Sequence, residues 1–412
     1  MSFAKKTLFI VLDGLGDRPI QYFGGLTPLE VARTPNISAL VEKGACGLLD
    51  VIGVGVRPGS DTGHISLLGY DPHAQYTGRG PLEAVGLGVH LADGELAFRA
   101  NFATVNSQGV VVDRRAGRID SAKPMEAALN SINVEGVKCH FKAGAQHRGV
   151  LVFRPQKGML LSDKISNVDS NAQGVKISLC RPLDKSPEAA FTADAVNQYL
   201  SKASKLLLKH PLNKTRVKNK LMPATGIIVR GAGVAPHFEQ FKEKFGLRAA
   251  AVSHTGVYTG VAGLMGFDIL PLKNATGRGD TDLDEKARVA AGALSKYDFV
   301  FLHIKGTDVF GHDGDYVGKR NFIERIDTAF SKFSGLNDTL VVITADHSTP
   351  CEMKNHSADA VPLLMAGPGV RKDAIRKFGE RDCGRGGLGR LKGADLMPEI
   401  LNIMARTPMY GS

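Results

Sequence analysis

The chain has 412 residues, 43% of them hydrophobic and 23% charged, usage that excludes a disordered or fibrous protein and leaves room for two or three domains. Lysine and arginine total 52 against 41 aspartate and glutamate, a net charge of +11 that invites an anionic partner but does not speak to fold or reaction. The five cysteines, Cys46, Cys139, Cys180, Cys351 and Cys383, are scattered without a CxxC pair, which argues against a disulfide framework or a thiolate zinc site and for a reducing compartment.

At the amino end, Met1–Lys6 followed by the apolar run Thr7–Leu12 imitates a signal peptide. The run is too short for an apolar signal region of about 7–15 residues, and it stops at Asp13 without a small-residue cleavage site. No stretch reaches the roughly 18 apolar residues of a membrane span, so a cytoplasmic protein without a membrane partner is expected. Further along, short apolar runs read as buried strands: Thr7–Leu12 (TLFIVL), Gly226–Val229, Phe299–Ile304 (FVFLHI), Thr339–Thr344 (TLVVIT) and Val361–Met365. Helical patterns such as Asp282–Leu294 and Tyr316–Phe333 lie between them, which predicts an α/β fold with a parallel sheet. Residues 71–190 differ in texture, with glycine, arginine and short strands (GRGPLEA, LAFRANFATV, VVDRRAGRI, HRGVLVF), and read as an α+β insertion. The predicted division is therefore a core of residues 1–70 and 191–412 and an inserted domain of residues 71–190. The lysine-rich stretch Ser201–Lys220 reads as an exposed helix and loop where the chain returns to the core. From Ala195 to Phe238 there are eight basic residues and no acidic one, so most of the +11 belongs to one segment. With no helix-turn-helix and no aromatic residues interleaved among the basic ones, no nucleic-acid partner is expected, and a basic nucleic-acid-binding protein is the remote alternative.

The residues just beyond the strands carry the chemistry. Asp13-Gly14 comes after the first run, Lys305, Asp308 and His312 after Phe299–Ile304, and Asp346-His347 after Thr339–Thr344. Ligands of open α/β sheets bind at the carboxyl ends of strands, so three separate segments deliver carboxylates and imidazoles to one edge. Asp308 and His312 are four residues apart, on one side of a helical turn, and His356 precedes the strand Val361–Met365 and reaches the same edge. Such a donor set suits manganese, zinc or cobalt. Ser60, in PGSDTGH, lies at the start of an expected helix, where backbone N–H groups and the dipole favour negative charge. It is the candidate nucleophile. Taken singly, Asp13 serves equally well as a turn cap and the Asp308–His312 pair as a solvated helix face; their conjunction at successive strand ends is what favours a site.

These residues resemble the alkaline phosphatase superfamily of two-metal phosphotransferases, and most closely the archaeal-type, 2,3-bisphosphoglycerate-independent phosphoglycerate mutase family. The matching stretches are VLDGLGDRP, PGSDTGHISLLGYDP, DRRAGRI, HRGVLV, VRGAG, KGTDVFGHD, TADHSTPCE, NHSADAVPLL and GGLGR, which span nearly the whole chain. The resemblance implies an alkaline-phosphatase-like core with a mainly parallel central sheet, interrupted by a smaller α+β insertion that binds substrate and acts as a lid. It implies two divalent ions (manganese, zinc, cobalt or magnesium), one held by Asp13, Ser60, Asp346 and His347 and the other by Asp308, His312 and His356. It further implies interconversion of 3-phosphoglycerate and 2-phosphoglycerate, in glycolysis and gluconeogenesis, through a phosphoserine on Ser60. Three carboxylates and a serine alkoxide cancel the charge of two such ions, so an anionic substrate needs further cations. Lys305 is expected to neutralise the transferring phosphoryl group, and Arg99, Arg114, Arg115, Arg118, His147 and Arg148 of the insertion to bind substrate. Another superfamily phosphomutase or phosphatase, such as a phosphopentomutase, shares the same core and is the alternative. A homo-oligomer is compatible with either.

Overall fold

The computed structural model describes residues 3–156, 158–170, 172–254, 256–409 and 411; Met1 and Ser2, where the signal-like segment begins, lie outside them. In chain order the strands are β1 (Lys6–Leu12), β2 (Gly44–Asp50), β3 (Leu96–Val105), β4 (Val111–Asp113), β5 (Val137–Ala143), β6 (Arg148–Pro155) and β7 (Gly226–Val234). Next come β8 (Ala249–Val252), β9 (Asp268–Ile269), β10 (Phe299–Ile304), β11 (Thr339–Thr344), β12 (Val361–Ala366) and β13 (Gly389–Lys392). The chain forms two compact units, Met1–Tyr76 with Phe238–Ser412 and, inserted between these segments, Thr77–His237.

The first unit is built on an eight-stranded sheet ordered β13-β2-β12-β11-β1-β10-β8-β9. It is mainly parallel, as expected: β10, β1 and β11 run side by side in one direction, and β8, β9 and the β2–β13 pair are parallel too. Strands β10 and β11 are buried at every position, which is why they read as unbroken apolar runs and not as alternating ones. The helices expected between strands are present and begin where a carboxylate is available: Asp282 accepts from Glu285 N ahead of Leu283–Ala293, and Asp315 from Gly318 N ahead of Tyr316–Phe330. One strand departs from the expected parallel pattern. β12 is antiparallel to both β11 and β2. Only turns and isolated bridges lie between residues 345 and 360, and a parallel neighbour needs a crossover connection that such a segment does not supply.

The second unit holds a five-stranded antiparallel sheet, β4-β3-β6-β5, with β7 on the other side of β3. The long helix Pro187–Lys209 packs Ala189, Ala193, Val196, Tyr199, Ala203 and Leu207 into a core with Phe98, Phe102, Phe141 and Phe153. Two expectations are corrected here. The inserted unit ends at His237 and not at residue 190, because the helix Pro187–Lys209 closes its core and β7 (which includes Gly226–Val229, read from sequence as a core strand) pairs with β3 along most of its length. Ser201–Lys220 is helical and mostly exposed, as expected, but it belongs to the inserted unit and is not a connection to the core. It comprises the end of that helix and a second one, Pro211–Lys218, whose Arg216 is buried and donates to the carbonyls of Met222 and Ala116. Among the described residues, no helix is long and apolar enough to cross a membrane.

Candidate active site

Parallel registry sets the site. Val11 is level with His303 on one side and Thr344 on the other, so the three strands end together and Asp13, Lys305 and Asp346-His347 emerge at neighbouring positions. Asp308 and His312 lie on the helix Gly306–Asp313, and the helix Ser60–Leu67 begins with Ser60 after an extended Gly59. Two glycines make this convergence possible. Gly14 turns the chain after β1 with φ of +63°, and a Cβ there would stand 2.5 Å from Thr349 Oγ1 and 2.8 Å from Asp308 Cβ. At Gly63 a Cβ would stand 2.6 Å from the Asp346 carbonyl, so only glycine lets the Ser60 helix lie against the end of β11.

Ser60, Asp13 and Asp346 all face one ring nitrogen. His347 Nε2 lies 3.2 Å from Ser60 Oγ, 3.3 Å from Asp346 Oδ2 and 3.5 Å from Asp13 Oδ1. Beside them, His312 Nε2 and His356 Nε2 lie 3.4 and 3.6 Å from Asp308 Oδ1. The His356 ring stacks on His347 at 3.5 Å between centroids. Ligand atoms of Asp308, His312 and His356 lie close enough to share one ion, and so do those of Asp13, Asp308 and His347, which brings Asp308 into both groups. The outer nitrogens are anchored: His312 Nδ1 bonds to Lys354 O at 3.0 Å and His356 Nδ1 to Pro58 O at 2.9 Å. A carbonyl only accepts, so Nδ1 carries a proton and Nε2 is the nitrogen turned inward, the second contact usual for ligating histidines.

The cluster is short of positive charge. Lys305 Nζ bridges Asp13 Oδ1 at 3.0 Å and Asp308 Oδ2 at 2.6 Å, and although burial opposes its charge, the two carboxylates raise its pKa well above that of an ordinary lysine. Burial pushes Asp13 and Asp308 upward, but Lys305 overrides it, leaving Asp13 well below the usual carboxylate range and Asp308 at about 2. One ammonium does not serve three carboxylates. Burial and the Asp13 charge push Asp346 well above the usual range, and its Oδ2 is buried without a hydrogen-bond partner among the described residues. Acceptor atoms pointed at one another in a buried space suit a multivalent cation and little else, so these residues fit the divalent ions implied by the sequence.

Several contributors were not legible in the sequence. His303, inside β10, is fully buried, bonds to Asp13 Oδ2 at 2.9 Å and stacks on Tyr258 at 3.7 Å; burial lowers its pKa to about 3, so it orients Asp13 as a neutral ring. His64 Nδ1 contacts Ser60 O at 2.5 Å and Asp346 Oδ2 at 3.4 Å. His64 is four residues after Ser60 on one helix, a spacing that marks the pair in retrospect. His303 left no such signal, because it occupies a strand position that reads as core.

The remaining predicted residues belong to the inserted unit. Arg114, Arg115 and Arg118 line a cavity of about 410 Å³ with Asp113 and Gln173, and Arg114 pairs with Asp169 at 2.7 Å. Arg99 pairs with Glu83 at 3.2 Å. Burial lowers the Arg99 pKa to about 9, with Arg79, Arg230 and Arg148 contributing. Arg79 and Arg230 are thus members of the cluster that sequence reasoning missed, although Arg79 pairs with Glu83 at the helical spacing of four residues. His147 is corrected: burial and the charges of Arg148, Arg115 and Arg99 push its pKa to about 3, so it adds no positive charge near neutral pH.

The chain is similar from end to end to known proteins. A family described as 2,3-bisphosphoglycerate-independent phosphoglycerate mutase matches residues 41–213. The 2,3-bisphosphoglycerate-independent phosphoglycerate mutase of Methanoculleus marisnigri is 44% identical over 412 residues, covering 99% of this chain and 100% of that one. One such protein from Archaeoglobus fulgidus is 44% identical, covering 98% and 99%. Among solved structures, a Pyrococcus horikoshii protein superposes with a TM-score of 0.85 at 37% identity, covering 100% of both chains. A cofactor-independent phosphoglycerate mutase from Thermoplasma acidophilum gives 0.68 at 35% identity, covering 97% of this chain and 100% of that one. With whole-length relatives at this identity, the chain belongs to the archaeal-type 2,3-bisphosphoglycerate-independent phosphoglycerate mutase family.

Proposed function

We propose that this protein interconverts 3-phosphoglycerate and 2-phosphoglycerate without 2,3-bisphosphoglycerate, working in the cytoplasm in glycolysis and gluconeogenesis. The observation that carries the reading is the convergence of Ser60, Asp13 and Asp346 on His347 Nε2 beside Asp308, His312 and His356, in a chain whose full-length relatives bear that name. Asp13, Ser60, Asp346 and His347 are suited to hold one divalent ion and Asp308, His312 and His356 another. Such ions lower the pKa of a bound hydroxyl and neutralise phosphoryl oxygens. Ser60 Oγ attacks the phosphorus of 3-phosphoglycerate: an Oγ–P bond forms, the bond between phosphorus and the C3 oxygen breaks, and that oxygen takes up a proton equivalent to the one Ser60 lost. Glycerate then turns, its C2 oxygen attacks the phosphoserine, and Ser60 is restored. Each half-reaction is balanced in protons. Lys305, already shared between Asp13 and Asp308, supplies a cation to the transferring phosphoryl group, and Arg99, Arg114, Arg115, Arg118 and Arg148 of the inserted unit meet the substrate's carboxylate and phosphate. His147 serves there as a neutral hydrogen-bonding group.

The test is 3-phosphoglycerate turnover coupled to enolase, in protein freed of metal by chelation and then given manganese, zinc, cobalt or magnesium, with no 2,3-bisphosphoglycerate. Activity should vanish on chelation and return with at least one ion. Ser60→Ala should abolish turnover and phosphoenzyme formation together. Mutase activity persisting in a metal-replete Ser60→Ala sample would overturn the role given to Ser60, and inactivity with every metal would overturn the function.

A further inference from the structure

Thr349 lies two residues beyond His347 and is fully buried. Its hydroxyl bonds to two charged-site residues at once, 2.8 Å from Asp308 Oδ1 and 3.0 Å from His347 Nδ1. One hydroxyl carries one proton, and an ionised carboxylate only accepts. The hydroxyl therefore donates to Asp308, and its oxygen must accept from a protonated His347 Nδ1. Reversing the pair would leave Asp308 Oδ1 without this donor in a buried setting. The His347 lone pair is thereby placed on Nε2, the nitrogen that faces Ser60, Asp13 and Asp346. Asp308 Oδ1 is at the same time the oxygen that faces His312 and His356.

We propose that the Thr349 hydroxyl is a positioning group that locks the ligating tautomer of His347 and the orientation of Asp308 together, so that filling one metal position prepares the other. The inference rests on the metal-dependent function proposed for this site and assigns it a coupling device. Where His312 and His356 use fixed backbone carbonyls, His347 uses a side chain shared with the neighbouring group. The backbone of Thr349 is held independently, its N–H by Gly16 O at 3.0 Å and its carbonyl by the Lys319 ammonium at 3.0 Å. Removing the hydroxyl alone therefore leaves the loop in place.

Manganese binding to chelated, metal-free protein, monitored by the electron paramagnetic resonance signal of the free ion, tests this without reference to turnover. Wild type should take up two ions with a Hill coefficient above one. Thr349→Val should bind them about 10–100-fold more weakly, the loss typical of a removed outer-shell partner, and independently of each other, with Thr349→Ser restoring the wild-type isotherm. Nitrogen-15 NMR of histidine-labelled, metal-free wild type should show His347 protonated at Nδ1, the resonance being assigned by its loss in His347→Gln. An unchanged isotherm in Thr349→Val, or an Nε2-protonated His347 in wild type, would overturn the coupling while leaving the metal reading intact. A wild-type protein that binds no manganese would overturn both.

Discussion

Lys319 has no exposed surface, yet its ammonium is fully engaged, at 2.8 Å from Asp17 Oδ2, 3.0 Å from Thr349 O and 3.2 Å from Gly16 O. It thereby ties the segment after β1 to the segment after β11, directly behind the candidate site. Lys319→Met removes that charge and leaves the buried Asp17 carboxylate uncompensated, so it should cost about 3 kcal/mol in denaturant unfolding. An unchanged unfolding midpoint would show the ammonium to be dispensable. Glu380 presents the opposite case. Burial, with Glu30 adding to it, raises its pKa to about 7, against the hydroxyl of Thr27 and the N–H of Asp17, which lower it. The folded state then binds this proton more tightly than the unfolded one, so stability falls as pH rises from about 4.5 to about 7 and the penalty is complete above that. Relative to Glu380→Gln, the wild type should lose about 3 kcal/mol across that window, read from thermal melts at stepped pH. A pH-independent difference would count against the raised pKa. Neither residue was legible in the sequence, where Lys319 is one more polar position on a helix and Glu380 one more surface carboxylate; their importance comes entirely from what surrounds them.

Among the elements, the helix Ser60–Leu67 shows how one backbone atom governs a site. Gly63 lets it rest on the Asp346 carbonyl, which sets the 3.2 Å approach of Ser60 Oγ to His347. Gly63→Ala forces a methyl group into that contact and should shift the helix by a fraction of an ångström to an ångström. Stability should fall by about 1–3 kcal/mol and turnover by about 100-fold, a disproportion that reflects the sensitivity of positioned groups to small displacements. Measuring the melt and the coupled assay on the same sample checks this, and full turnover would show that the helix relaxes without moving Ser60. The placement of ligands at strand ends was legible at this scale, because runs such as Phe299–Ile304 and Thr339–Thr344 announce buried parallel strands and the polar residues after them must sit at their carboxyl ends. The reversal of β12 was not legible, since an apolar run contains no information about its direction; the connection before it decides that.

At the scale of the whole molecule, the charge and the chemistry occupy different places. Lys205, Lys209, Lys214 and Lys218 are exposed on the helices Pro187–Lys209 and Pro211–Lys218 of the inserted unit, in the stretch that holds most of the +11 surplus. Converting all four to glutamine should leave kcat/KM for 3-phosphoglycerate within about two-fold at physiological salt, because salt screens exposed charges. A larger fall would assign the run a part in gathering the anionic substrate.

The fold class, the presence of an insertion and the seven residues that the structure draws together around His347 and Asp308 were legible in the chain, because local runs, strand-end placement and motif spacing are properties of consecutive residues. The change in composition near residue 71 falls a few residues before Thr77, where the inserted unit begins. Where the insertion ends is a matter of packing in three dimensions, since it depends on which core receives Tyr199 and which strand pairs with β7. Packing alone brings His303, His64, Lys319 and Thr349 against these residues or their backbone, and burial beside Arg148, Arg115 and Arg99 pushes the His147 pKa down to about 3. Burial, tautomer and pKa arise from neighbours distant in sequence, and no reading of consecutive residues contains them.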